Sequence, residues 1–200
     1  MKEINVAVTG GAGQISYSLL PRLISGETFG PDTKVNLRLV EIPQVVDKLE
    51  GTIMELIDCG FDQTGSLLAT ADIKEGVDGA NWVLLVGSIP RGIVVDGKKI
   101  EERSDLLRIN GGIFTDQGSA IGELANKDAK ILVLDEATSA LDTKTESAVM
   151  EAVEDLSREL TIVMIAHRLT TVMRCDRLIR LDKGLIIQQG SPDQVLMNDV

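Results

Sequence analysis

Runs of apolar residues alternate along this chain with segments in which Leu, Ile, Val and Met return every three or four positions. That alternation is the pattern of a parallel sheet covered by helices on both faces. The apolar runs predict strands at 4–9, 35–41, 67–70, 81–87, 130–135 and 160–166. The helix-period segments predict helices at 13–25, 45–59, 103–126 and 143–158. After residue 176 the texture changes. Arg177 to Leu181 and Leu185 to Gln189 flank Asp182-Lys183-Gly184, a hairpin signal, and a short helix is expected from Pro192. The stretch 89–102 carries Gly and Lys without a clear period and predicts an exposed, mobile loop. The expected fold class is α/β.

Composition narrows the setting. With 200 residues, 44% of them hydrophobic, the chain can bury a sizeable core as one domain or a domain with a small appendage. A formal charge of −11 repels phosphate at long range and argues against nucleic acid or an anionic membrane surface as partner. Cys59 and Cys175 do not make a disulfide framework. The chain enters its first strand without a basic-then-apolar leader, and no apolar run approaches the ~18 residues of a membrane span. The expectation is a soluble, uncleaved, cytoplasmic protein.

Two places carry candidate chemistry. The first strand runs into Thr9-Gly10-Gly11-Ala12-Gly13 and then a helix. In that arrangement backbone N–H groups and the helix N-terminus face an anion, and glycine lets the backbone approach it. Ser16 occupies the place of the third glycine in the usual fingerprint. A tight strand-to-helix connection also needs glycine, so spacing alone leaves both readings open. The second strand ends at Glu41, where a carboxylate can accept hydrogen bonds from adenosine ribose hydroxyls; a solvated strand-end acid is the bland alternative. The second place is Asp135-Glu136, at the end of the apolar run Ile131-Leu132-Val133-Leu134.

The segment Val8-Thr9-Gly10-Gly11-Ala12-Gly13-Gln14-Ile15-Ser16-Tyr17-Ser18-Leu19-Leu20 resembles the start of cytosolic-type malate dehydrogenase. Leu39-Val40-Glu41-Ile42-Pro43, Gly51 to Cys59, and Leu85-Val86-Gly87-Ser88-Ile89-Pro90-Arg91-Gly92 extend the resemblance over about residues 3–134. It implies a Rossmann-type NAD-binding half, with Gly10, Gly13, Gln14, Ile15, Glu41, Gly87 and Ser88 at matching cofactor positions. It also implies two substrate-binding arginines, matched by Arg91 and Arg103. Residues Ile93 to Glu102 lengthen the intervening loop beyond the family's compact version. Beyond Leu134 the family places a Gly-Asn-Pro-Ala-Asn type turn, where this chain has Asp135-Glu136-Ala137-Thr138. The family's general-base histidine comes from a C-terminal domain that is expected to be absent here, and the single histidine, His167, stands in a different context.

That context resembles the C-terminal part of an ABC transporter ATPase over about 128–199. The resemblance rests on Lys130 to Asp142, Ile165-Ala166-His167-Arg168-Leu169, Asp182-Lys183-Gly184 and Gln189-Gly190-Ser191-Pro192. It implies that Asp135 is the Walker B carboxylate near Mg²⁺, Glu136 the base orienting water, and His167 the switch histidine at the γ-phosphate. No G-x-x-x-x-G-K-[ST] phosphate cradle and no LSGGQ-like signature occur, so ABC-type hydrolysis is not expected.

Joined at residues 134 and 135, the two halves read as a chimera on one doubly wound parallel sheet of order 3-2-1-4-5-6, followed by a C-terminal β-hairpin and short helix. Residues 143–158 are expected to form the right-handed crossover to the sixth strand, and the hairpin to cap an edge. Asp135 then lies two strands from Gly13, about 10 Å away. The leading expectation is an NAD(H)-binding fold without full turnover. The alternatives are a Mg-ATP module completed by an ABC-type partner subunit, and a structural hybrid with no ligand; the expected protein partners are a homo-oligomer or an ABC-type subunit.

Overall fold

The computed structural model describes residues 1–87, 94–95, 98–99, 102–133, 161–164 and 172–196. It divides into two compact units, Met1–Met164 and Ile165–Val200, each considered by itself. The first unit is built on β1 (Lys2–Thr9), β2 (Thr33–Val40), β3 (Thr64–Thr70), β4 (Trp82–Leu85), β7 (Lys130–Val133) and β8 (Thr161–Met164). These six strands are parallel, in the order β3-β2-β1-β4-β7-β8. Counted within the sheet, that is 3-2-1-4-5-6, the doubly wound order expected of a Rossmann-type half.

Helices cover both faces, and each face has its own core. Along β1, Ile4, Val6 and Val8 point one way and Ala7 the other, as the two-residue period of a strand requires. The first face packs Val35, Leu37, Leu39 and Leu84 against α1 (Gln14–Ile24) and α2 (Leu49–Asp58). Helix α1 buries Ser16, Leu20, Leu23 and Ile24, a helical stripe whose first member is polar. The opposite face packs Val83, Leu85 and Ile131 against Val77 of α3 (Ile73–Val77) and Ala120 and Ile121 of α4 (Arg103–Leu124). Near-continuous apolar strands are what burial on both sides demands.

Toward the N-terminal side of the sheet an asparagine belt ties the strands together. Asn36 Nδ2 donates to Asn5 Oδ1 at 3.1 Å, and Asn5 Nδ2 donates to Gly79 O at 3.0 Å. The Asn5 N–H reaches Asn81 Oδ1 at 2.8 Å, while Ser66 N–H donates to Asn36 Oδ1 at 2.9 Å. Asn126 Nδ2 adds a second donor to Gly79 O at 2.9 Å. Half-buried amides satisfied in this way make a one-residue slip costly, because each would lose its partner.

Three short elements depart from the sequence expectation. Helix α3 was not foreseen: five residues cannot display a helical period, although its Asp72 cap accepts from the Lys74 N–H at 2.9 Å. Within 89–102, read as an irregular loop, Val94–Val95 (β5) and Lys98–Lys99 (β6) pair antiparallel. The predicted helix at 143–158 lies outside the described residues.

The second unit contains a hairpin of β9 (Leu178–Asp182) and β10 (Leu185–Gly190), with Lys183 and Gly184 at positive φ in the turn. A short helix, α5 (Pro192–Leu196), follows, with Pro192 at its start as expected for a residue lacking an N–H.

Candidate functional site

Parallel pairing brings the C-terminal ends of β2, β1 and β4 side by side, with Thr9 opposite both Val40 and Leu85. The segments leaving those three strands are the glycine turn, Glu41 and Val86-Gly87. Ligands bind outside this edge of open α/β sheets because helix N-termini converge there.

The turn is held by short-range physics. Gly10 has φ +69°, a left-handed conformation that a side chain disfavours. A Cβ there would also collide with Gly87, coming within 2.7 Å of its backbone nitrogen. A Cβ on Gly87 would in turn stand 2.8 Å from Gly10 N and 2.9 Å from its Cα. The two glycines therefore pack backbone on backbone, which gives Gly87 a packing reason to be glycine. Thr9, buried at the end of β1, accepts the Gly87 N–H at 3.4 Å.

Gly10 N–H donates to Val40 O at 2.9 Å, and Gly13 N–H returns to Gly10 O at 3.0 Å. Gly13 then caps α1 with no side-chain hydrogen bond, and the first turn of α1 contains no acidic residue. Its first-turn N–H groups have no intrahelical acceptor, so the positive end of the helix is available to an anion. Glu41 is half-buried beside the turn. Its Oε2 accepts the Ala12 N–H at 3.2 Å and its Oε1 accepts the Ile42 N–H at 3.0 Å. Each oxygen keeps a lone pair for a further donor.

Gly10, Gly13, Gln14, Ile15, Glu41 and Gly87 thus meet at one sheet edge, with Gln14 and Ile15 exposed at the start of α1. Arg103 is the first residue of α4. Ser88, Arg91, Asp135, Glu136 and His167 lie outside the described residues. Sequence reading assigned no role to Ser16, whose hydroxyl is fully buried and donates to Gly10 O at 2.8 Å. The available signal was a polar residue in phase with Leu20, Leu23 and Ile24.

A cleft of about 300 Å³ between α1 and α2, lined by Tyr17, Leu20, Pro21, Thr52, Glu55, Leu56 and Cys59, contains none of these residues. There Tyr17 donates to Glu55 Oε2 at 2.7 Å, and that hydrogen bond, with the carboxylate charge, holds the phenol above its ordinary pKa of 10.0. Among the described residues no group of three or more His, Cys, Asp or Glu could hold a metal ion, and no helix is long and apolar enough to cross a membrane.

The glycine turn and the uncapped helix start fit a pyrophosphate, and Glu41 beside them fits a ribose diol. The model of the lactate/malate dehydrogenase NAD binding domain matches residues 4–158, running past Leu134. A malate dehydrogenase of Magnetococcus marinus is 50% identical over 131 residues, which are 66% of this chain and 38% of that protein. The chain therefore spans less than half the length of this relative. The crystal structure of malate dehydrogenase from Naegleria fowleri is 36% identical with a TM-score of 0.61, covering 67% of this chain and 39% of that one. Trichomonas vaginalis lactate dehydrogenase, in complex with NADH and oxamate, is 35% identical with a TM-score of 0.56, covering 66% and 38%. A bacterial Atm1-family ABC exporter with ATP bound shares 37% identity over 36% of this chain, but its TM-score of 0.32 carries no argument about fold. Through the domain that those residues build, this chain belongs to the lactate/malate dehydrogenase family.

Proposed function

We propose that this chain binds NAD(H) at the C-terminal edge of its sheet and does not by itself turn over a 2-hydroxy acid. The observation that carries the reading is the Glu41 carboxylate held against Ala12 of an uncapped glycine turn. In it, the N–H groups of Gln14 and Ile15 at the start of α1 face the pyrophosphate, and Glu41 accepts from the adenosine ribose and disfavours a 2′-phosphate. Gly87 and Ser88 border the nicotinamide side, and Arg91 and Arg103 pair with a carboxylate substrate. NAD supplies a hydride acceptor when bound; the residues of this chain supply binding and orientation. Lack of turnover follows from Asp135-Glu136-Ala137-Thr138 standing where the family has an asparagine-containing turn. Fluorescence titration with NADH is expected to saturate, and absence of binding at millimolar concentration overturns the reading.

The sequence of 128–199 favours a second reading, a chimera whose C-terminal part is an ABC-type module. Asp135 would then hold Mg²⁺ of Mg-ATP, with Glu136 and His167 at the γ-phosphate and a partner subunit supplying the phosphate cradle. Mixing the chain with a complete ABC ATPase subunit tests it: neither association nor altered turnover removes it. Sedimentation of the chain alone reports whether it associates with itself.

A further inference from the structure

We infer that Ser16 is a positioning residue for dinucleotide binding: its buried hydroxyl locks the Gly10 carbonyl inward and so braces the turn from which the Gln14 and Ile15 N–H groups of α1 are offered to the anion. The inference rests on the NAD(H) reading and adds to it a residue outside the set matched to the cofactor.

The Gly10 carbonyl accepts two hydrogen bonds, from Gly13 N–H at 3.0 Å and from Ser16 Oγ at 2.8 Å. A carbonyl has two lone pairs, and both are engaged within the protein. The peptide joining Gly10 to Gly11 is thereby held with its oxygen toward α1 and its N–H 3.4 Å from Val40 O. The next peptide donates Ala12 N–H to Glu41. Ser16 therefore braces the turn immediately before the N-terminus of α1.

Both alternatives for this peptide are poor. Gly10 is already in the left-handed region, which only glycine visits cheaply, and glycine is also the residue most free to flip its peptide. A flipped peptide would lose both bonds to Gly10 O and turn that oxygen toward Val40 O, loosening the start of α1. The fully buried Ser16 hydroxyl needs an acceptor, and Gly10 O provides one. The serine thus replaces the close packing of a third glycine with a directional bond to the turn.

The test compares Ser16→Ala with the unsubstituted chain by calorimetry against NADH, ADP and adenosine, with urea unfolding in parallel. The expected result is about three- to tenfold weaker binding of NADH and ADP, the range of one lost hydrogen bond, with adenosine changed less than about twofold. A merely structural role would not separate the ligands by their pyrophosphate. Unchanged NADH affinity, or equal loss for all three ligands, overturns the inference. Should Ser16→Ala fail to fold, Ser16→Gly, which restores the usual fingerprint, is read in the same way. No NADH binding by the unsubstituted chain removes the NAD(H) reading and this inference with it; binding there with no change in the variant removes the inference alone.

Discussion

The two ends of one sheet are built from opposite chemistries. Toward the N-terminal side, Asn5, Asn36, Asn81 and Asn126 bond to one another and to the backbone, so polar atoms are matched within the fold. At the C-terminal ends, glycines remove side chains, α1 begins without a side-chain cap, and Glu41 keeps lone pairs over the turn. The same strands serve both, since a parallel sheet collects all its strand starts on one side and all its strand ends on the other. Internal satisfaction produces register and stability; an edge left with open donors produces a binding site.

The comparison is sharpest where a substitution separates stability from binding. The largest effect is expected at Gly10, where the two properties meet. Gly10→Ala places a Cβ on a left-handed backbone and against Gly87, and should cost at least about 3 kcal/mol in urea unfolding while abolishing NADH binding. A variant that stays stable and binds NADH would show that the glycine contact is dispensable. Next is Asn5→Ala, which strips the belt of its central amide. A loss of about 1–3 kcal/mol is expected, with NADH affinity within about twofold, because the turn is untouched. Loss of affinity there would break the division between the two ends.

Glu41→Gln reverses the pattern: about tenfold weaker NADH binding, with little change in the urea midpoint, since a charge-assisted acceptor at the rim is lost. The smallest effect concerns Tyr17, the single tyrosine of the chain. Its phenol titrates above 10.0 because Glu55 accepts its proton in a hydrogen bond. The folded state therefore binds that proton more tightly than the unfolded chain. The associated stability is present below the unfolded pKa and is lost as pH rises through the folded one. Phenolate absorbance should show a midpoint above 10.0, moving down in Glu55→Gln. An unmoved midpoint would dissociate α1 from α2 at this contact.

Much of this architecture was legible from the chain. Uninterrupted apolar runs such as Val6-Ala7-Val8 and Trp82 to Leu85 mark strands buried on both faces, and the 3.6-residue period of Leu20, Leu23 and Ile24 marks the face of α1. Gly10, Gly13 and Glu41 were legible as a glycine turn and a strand-end acid, and the cofactor role proposed for them came from the family resemblance. What escaped was short or cooperative. Helix α3 and the β5–β6 pair are too brief to show a period. The asparagine belt joins residues 30 to 76 positions apart, and no local signal announces such bonds. Gly87 was legible as a family match but not as the backbone partner of Gly10.

The sequence by itself determined the alternation of elements, the covered parallel sheet and the glycine turn, since these rest on periodicity and on local backbone preference. Only the tertiary structure decided that Gly10 and Gly87 touch, that Glu41 accepts from Ala12, and that Ser16 holds the Gly10 carbonyl. Those contacts depend on which strands lie side by side and in what register, and that is set by the packing of two cores at once.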